Sequence, residues 1–193
     1  MASFSQKLQT LLASKQPITL GSINNNFAQK SFAILLLLLL AIPALPLPTG
    51  GITHIFEIIA MLIALELIAG RKTIWLPKRW LNKPLPPSMQ KSALPRFIKI
   101  IKWVEKYSKP RLTGLQANSF YIRLLGLFVL VFTVFAFLAP PFSGLDTLPA
   151  LGVVILSLSL IFDDLILYFI GLIVGACGIL LIFLLGSLIF KLF

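Results

Sequence analysis

Ionisable side chains inside apolar runs are the first place to look for chemistry, because a charge held away from water needs a partner or a task. Glu66 stands within the apolar run 62–69. It reads as a proton or cation site, or as a carboxylate neutralised by Arg71 or Lys72 about a turn later. His54 and Glu57 are three residues apart and so occupy neighbouring positions on one helical face. They form either a titrating pair or two solvated residues at a helix start. Asp163 and Asp164 break the apolar character of the second half. They suit a cation, a pairing with Arg123, or a membrane boundary at which an Asp caps the last helix. Glu57 and Glu66 are nine residues apart, on nearly opposite faces of one helix, which rules out a carboxylate dyad between them.

Recurrent catalytic patterns are missing: the sequence has no HExxH, GxSxG, P-loop or GxGxxG. With a single His and a single Cys, nucleophilic or metal chemistry has little material, and neither an intrachain disulfide nor a cysteine-based zinc site can form. The expectation is a non-enzymatic protein with no catalytic residue, no metal and no cofactor. Cys177 sits in an apolar run, where it reads as a small buried side chain.

The elements that must position these residues follow from composition. Of 193 residues 58% are hydrophobic and 12% charged, more apolar surface than a soluble domain of this size can bury. Long runs nearly free of charge, without strand-like alternation, point to helices rather than to a barrel. The expected fold is an all-α integral membrane protein: two repeated helical hairpins joined by a basic amphipathic linker, plus a C-terminal helix.

Residues 1–30 form a polar segment in which Phe4, Leu8, Leu11 and Leu12 recur at helical spacing. They lack the apolar core of a cleavable signal peptide, so this segment is expected to remain on the mature protein. The first hairpin, 31–70, has its tip at Pro43, Pro46, Pro48, Gly50 and Gly51. Only eleven residues precede the first Pro, roughly 16 Å of helix against a hydrocarbon core of roughly 30 Å. The first hairpin is therefore re-entrant, or it spans by continuing through Pro43. The second hairpin and the last helix occupy 119–193, with a turn at Pro140, Pro141 and Gly144. Ser31-Phe32 and Ser119-Phe120 open the two halves alike, and each is followed by an apolar run, a Pro/Gly turn and another apolar run. Repeats of this order occur in transporter folds.

Between the hairpins, 71–118 is a basic linker divided by Pro77, Pro84, Pro86, Pro87 and Pro95. Within it Phe97, Ile98, Ile101 and Val104 form an apolar stripe, with Arg96, Lys99 and Lys102 elsewhere around the helix and Trp103 at headgroup level. Arg71, Lys72 and Trp75 repeat that chemistry at the end of a span. The net charge of +11 concentrates here, and no nucleic-acid motif accompanies it, so the expected partner is anionic lipid headgroups and not nucleic acid. With Lys7, Lys15 and Lys30, the same bias puts the N-terminus and linker on the cytoplasmic side and both Pro/Gly turns outside. Gly171, Gly175 and Gly178 give the last helix a small-residue face, suited to packing within the chain or to a homodimer, and a homodimer is the expectation because a chain with so few spans needs a partner to enclose its polar groups.

Taken in order, a set of segments resembles the ExoD family of exopolysaccharide synthesis membrane proteins. The set is Ile18-Thr19-Leu20-Gly21, Leu35–Leu40, Ala41-Ile42-Pro43, Pro46-Leu47-Pro48, the stretch Ala64–Lys72 and Trp75-Leu76-Pro77. Arg123-Leu124-Leu125-Gly126 and Pro140-Pro141-Phe142 continue it in the second half. The resemblance implies a bacterial inner-membrane protein serving exopolysaccharide synthesis or secretion, with other polysaccharide synthesis or export proteins as its partners. It brings no catalytic residue. Two other readings stay open: a small ion-coupled carrier using Glu66 at the repeat interface, and a lipid-binding scaffold acting through residues 71–112.

Overall fold

The computed structural model describes residues 6, 10, 19, 27, 30–45, 52–75, 94–108, 119–140 and 143–192. The N-terminal stripe, the Gly50-Gly51 tip, residues 76–93 and the Arg96 and Phe97 side chains lie outside the described set. Among the described residues the regular elements are six helices. They are α1 (Lys30–Leu40), α2 (Ile52–Ile68), α3 (Leu94–Tyr107), α4 (Ser119–Leu138), α5 (Thr147–Phe162) and α6 (Leu165–Leu192).

α1 is apolar on every side, and a helix of that kind belongs in an interior. Phe32, Ala33, Leu36 and Leu40 are completely buried. Beyond Leu40 the chain keeps a helical course: Ala44 donates to Leu40 O at 2.9 Å, which steps over Pro43 and its missing N–H. Lys30 to Leu45 is then roughly 24 Å of near-helical chain, still short of the hydrocarbon thickness.

α2 stops where Gly70 takes φ +73°. The Gly70 amide bonds to Leu67 O at 2.9 Å and that of Arg71 to Glu66 O at 3.1 Å, closing the orphan carbonyls of the last turn. α5 ends the same way without glycine. Asp163 sits at φ 54°, tolerable for Asp, and the Asp164 amide returns to Ser159 O at 3.2 Å.

Packing pairs α2 with α4 and α1 with α5; α1 also meets α2, α4 meets α5, and α6 lies mainly on α5. Small residues set the close approaches. A Cβ on Gly126 of α4 would stand 2.8 Å from Leu67 Cβ on α2. One on Gly152 of α5 would stand 2.6 Å from the Gly175 Cα on α6. Gly171 faces Leu156, Gly175 the Phe132 ring, and Gly178 Pro149. The glycine face of α6 is thus spent inside this chain, where backbones meet without side chains between them.

α4 and the stretch Leu165–Ser187 of α6 are the two described helices long and apolar enough to cross a membrane. α6 buries only 22% of its most apolar window and exposes Ile173, Leu180, Phe183 and Leu184. An exposed apolar surface on that scale calls for lipid or protein against it. Cys177 also lies on the open side of α6, exposed rather than buried, because the inward side is filled by the glycines. On α3 the expected stripe is present: Ile98, Ile101 and Val104 are buried, while Lys99, Lys102, Trp103 and Lys106 are exposed.

Candidate functional site

The bundle has two polar ends, and they differ in kind. At one end the start of α1, the ends of α3 and α5 and the start of α6 converge. Lys30 Nζ donates to Ile161 O at 2.6 Å and lies 3.2 Å from Asp163 Oδ2. Asp164 is buried; its Oδ2 accepts from Ser108 Oγ at 2.9 Å and its Oδ1 accepts the Ile166 amide at 2.9 Å. Asp164 is therefore a cap for α6 that also anchors the end of the linker helix. Arg123 joins neither aspartate; its guanidinium packs against Gly70 at the end of α2. Here the charged groups are paired or cap a helix, while the hydroxyls of Tyr121 and Tyr168, whose ring centroids lie 5.1 Å apart, are buried without a hydrogen-bond partner among the described residues.

The opposite end holds the candidate site. Glu57 faces inward from the second turn of α2 and is fully buried. Its Oε2 lies 2.8 Å from His54 Nδ1, one helical turn away, while Oε1 has no hydrogen-bond partner among the described residues. A contact of 2.8 Å between these two atoms requires one proton between them, on either the ring or the carboxyl. His54 is only partly covered, and its ring meets Phe137 of α4 edge-on at 5.0 Å between centroids. It stands between Glu57 and the exterior.

Asp146, the residue before α5, comes close enough for its charge to act on both His54 and Glu57. Its side chain makes no capping bond. Burial pushes its carboxyl above the ordinary carboxylate range, against the pull of its own backbone amide and of His54. Thr147 Oγ1, next in sequence, is buried and likewise without a hydrogen-bond partner among the described residues. Unsatisfied buried oxygens on both α2 and α5 are the kind of exception that functional sites show. No group of three or more His, Cys, Asp or Glu among the described residues is spaced for a metal ion.

Glu66 is half-buried at the other end of α2, and its Oε2 accepts the Trp75 amide at 2.8 Å. Arg71 lies over the Trp75 ring, 5.8 Å from its centroid, and Lys72 is exposed. The structure thus brings His54 and Glu57 together and keeps Glu66 apart from them. Asp146 and Lys30 belong to these clusters and were not singled out as site residues from sequence. Asp146 could have been noticed as the lone acid in the second Pro/Gly turn, matching in position the turn that precedes His54.

Comparison with known proteins adds the following. The family described as "Exopolysaccharide synthesis, ExoD" matches residues 4–184. An uncharacterized protein of Synechocystis sp. (strain ATCC 27184 / PCC 6803 / Kazusa), slr1875, is 29% identical over 179 residues, 91% of this chain and 81% of that one. Protein ExoD of Rhizobium meliloti (strain 1021) is 29% identical over 168 residues, 84% of this chain and 68% of that one. No solved structure matches. With almost its whole length matched, from before α1 into α6, the chain belongs to the ExoD family of exopolysaccharide synthesis.

Proposed function

We propose that this chain is a multi-pass, non-enzymatic protein of the bacterial inner membrane that serves exopolysaccharide synthesis or secretion, with the His54–Glu57 pair as its working polar centre. The observation that carries the reading is the family match over residues 4–184. The membrane setting draws support from the two spanning-length helices and from the exposed apolar side of α6. The basic linker then lies on the cytoplasmic face against anionic headgroups, and the His54 end faces outward.

A duplicated hairpin fits the packing. Exchanging α1 with α4 and α2 with α5 turns the α1–α5 contact into α4–α2 and the α1–α2 contact into α4–α5, all of which occur. The left-handed terminations at Gly70 and Asp163 fall at matching points of the two halves. The carrier reading built on Glu66 is not favoured, because that carboxylate holds the chain backbone at Trp75. A homodimer, if formed, must use a surface other than the Gly171–Gly175–Gly178 face, which is already occupied.

Deleting the gene in a strain that normally releases polymer tests this function. Loss of released polysaccharide, restored by the gene in trans, supports it. Unchanged output counts decisively against it.

A further inference from the structure

Away from the His54 end, one surface feature joins two chemistries that a lipid also joins. An open groove of about 630 Å³ runs along the outer flank of α2, walled by Leu35, Leu62, Leu65 and Trp75. It extends from the level of Ile59 to Ala69, ten residues or roughly 15 Å of helix. That is about half of a hydrocarbon core, the depth of one leaflet. The walls are apolar along this length and polar groups gather at one end only. There Arg71 stands beside Trp75, with exposed Lys72 next to it. Arg71 is the one cation in the lining and Glu66 the one acid, whose Oε2 is taken by the Trp75 amide; Lys72, next in sequence, is exposed outside the lining.

We propose that this groove is a binding site for an anionic phospholipid, one acyl chain lying along Leu62 and Leu65 and the phosphate held by Arg71 and Lys72. The apolar walls select a chain, the one-sided charge selects an anionic head, and the groove's direction along α2 matches a lipid standing in its own leaflet. Arg71 supplies a planar donor fork for phosphate oxygens, and Trp75 offers an indole at the headgroup boundary. The inference shares only the membrane setting with the proposed function, and its test does not read polysaccharide.

The test uses the full chain purified in detergent, with phosphatidylglycerol, phosphatidylcholine and soluble glycerol phosphate titrated separately and bound lipid counted by native mass spectrometry. The wild type should retain one phosphatidylglycerol in preference to phosphatidylcholine, and glycerol phosphate should not displace it. The doubly substituted Arg71→Gln, Lys72→Gln chain should lose about 30-fold in phosphatidylglycerol affinity, as expected for two surface cations. Leu62→Trp should block the chain's seat. Leu62 is 58% exposed, so the substitution does not disturb the core; Leu65→Trp, on the same wall, repeats the test. Equal retention in both Trp variants, no preference for phosphatidylglycerol, or displacement by glycerol phosphate would each overturn the assignment.

Discussion

Lys30 and Asp163, 133 positions apart, meet at 3.2 Å, and that contact ties the first residue of α1 to the left-handed residue that ends α5. It couples the two hairpins at one end of the bundle, while His54 and Phe137 meet at the other. Asp163 does two jobs, as ion-pair partner and as helix terminator. Gly can perform only the second, and Ala performs neither.

Asp163→Gly and Asp163→Ala should accordingly separate. Both lose the ion pair, which is partly exposed and worth little on its own. Ala adds the cost of a left-handed backbone, about 1–2 kcal/mol. Thermal unfolding of the purified variants should rank wild type, then Gly, then Ala. An Ala variant as stable as the Gly variant would show that the turn relaxes.

The α5–α6 contact should tolerate nothing larger than glycine at its closest point. Gly152→Ala places a methyl group against the Gly175 backbone, where no flexible side chain can give way. Overpacking of this kind costs about 1–3 kcal/mol. Gly186, with nothing near it, should accept Ala with no measurable loss. Paired melting curves of the two variants check this.

Asp146 predicts a pH dependence with a definite sign. Because burial raises its carboxyl in the folded state, the folded chain holds this proton more tightly than the unfolded one. Its contribution to stability is present below the ordinary carboxylate pKa and is lost as pH rises through the raised value. Asp146→Asn should therefore melt higher than wild type at neutral pH, the gap closing as pH falls to the acid side of that window. A gap that widens in acid would reverse the assignment.

Cys177 reports on the membrane setting. Exposed on the outer side of α6 and within its most apolar stretch, it should react with a small maleimide only once the membrane is dissolved in denaturing detergent, because the reaction needs a thiolate and hydrocarbon does not support one. In sealed vesicles a charged, impermeant maleimide should leave it unlabelled from either side. Rapid labelling by the charged reagent would place this face of α6 in water.

The order of apolar runs, the Pro/Gly turns and the amphipathic stripe at Ile98, Ile101 and Val104 were legible in the sequence because each depends on local period and local breakers. The depth of a polar group was not. Glu66 stands in the longer apolar run yet lies half-open at a helix end, whereas Glu57, only five residues into α2, is fully covered. Phe137, which meets His54 beside Glu57, and Asp146, whose charge acts on Glu57, come from a hairpin some eighty residues away and leave no trace in the spacing of α2. Cys177 and the glycines of α6 carry the same lesson. A small residue in an apolar helix does not announce which side faces the bundle until its partners Gly152, Leu156 and Phe132 are placed.

The most direct test of the account is polysaccharide release by a deletion strain carrying either the wild-type gene or Glu57→Gln, with membrane levels of the two proteins matched. Gln keeps the size of the side chain and its bond to His54 but cannot exchange the proton. The account predicts that the wild type restores release and that Glu57→Gln, present in the membrane at the same level, does not. Full restoration by Glu57→Gln would contradict the role given to the buried pair.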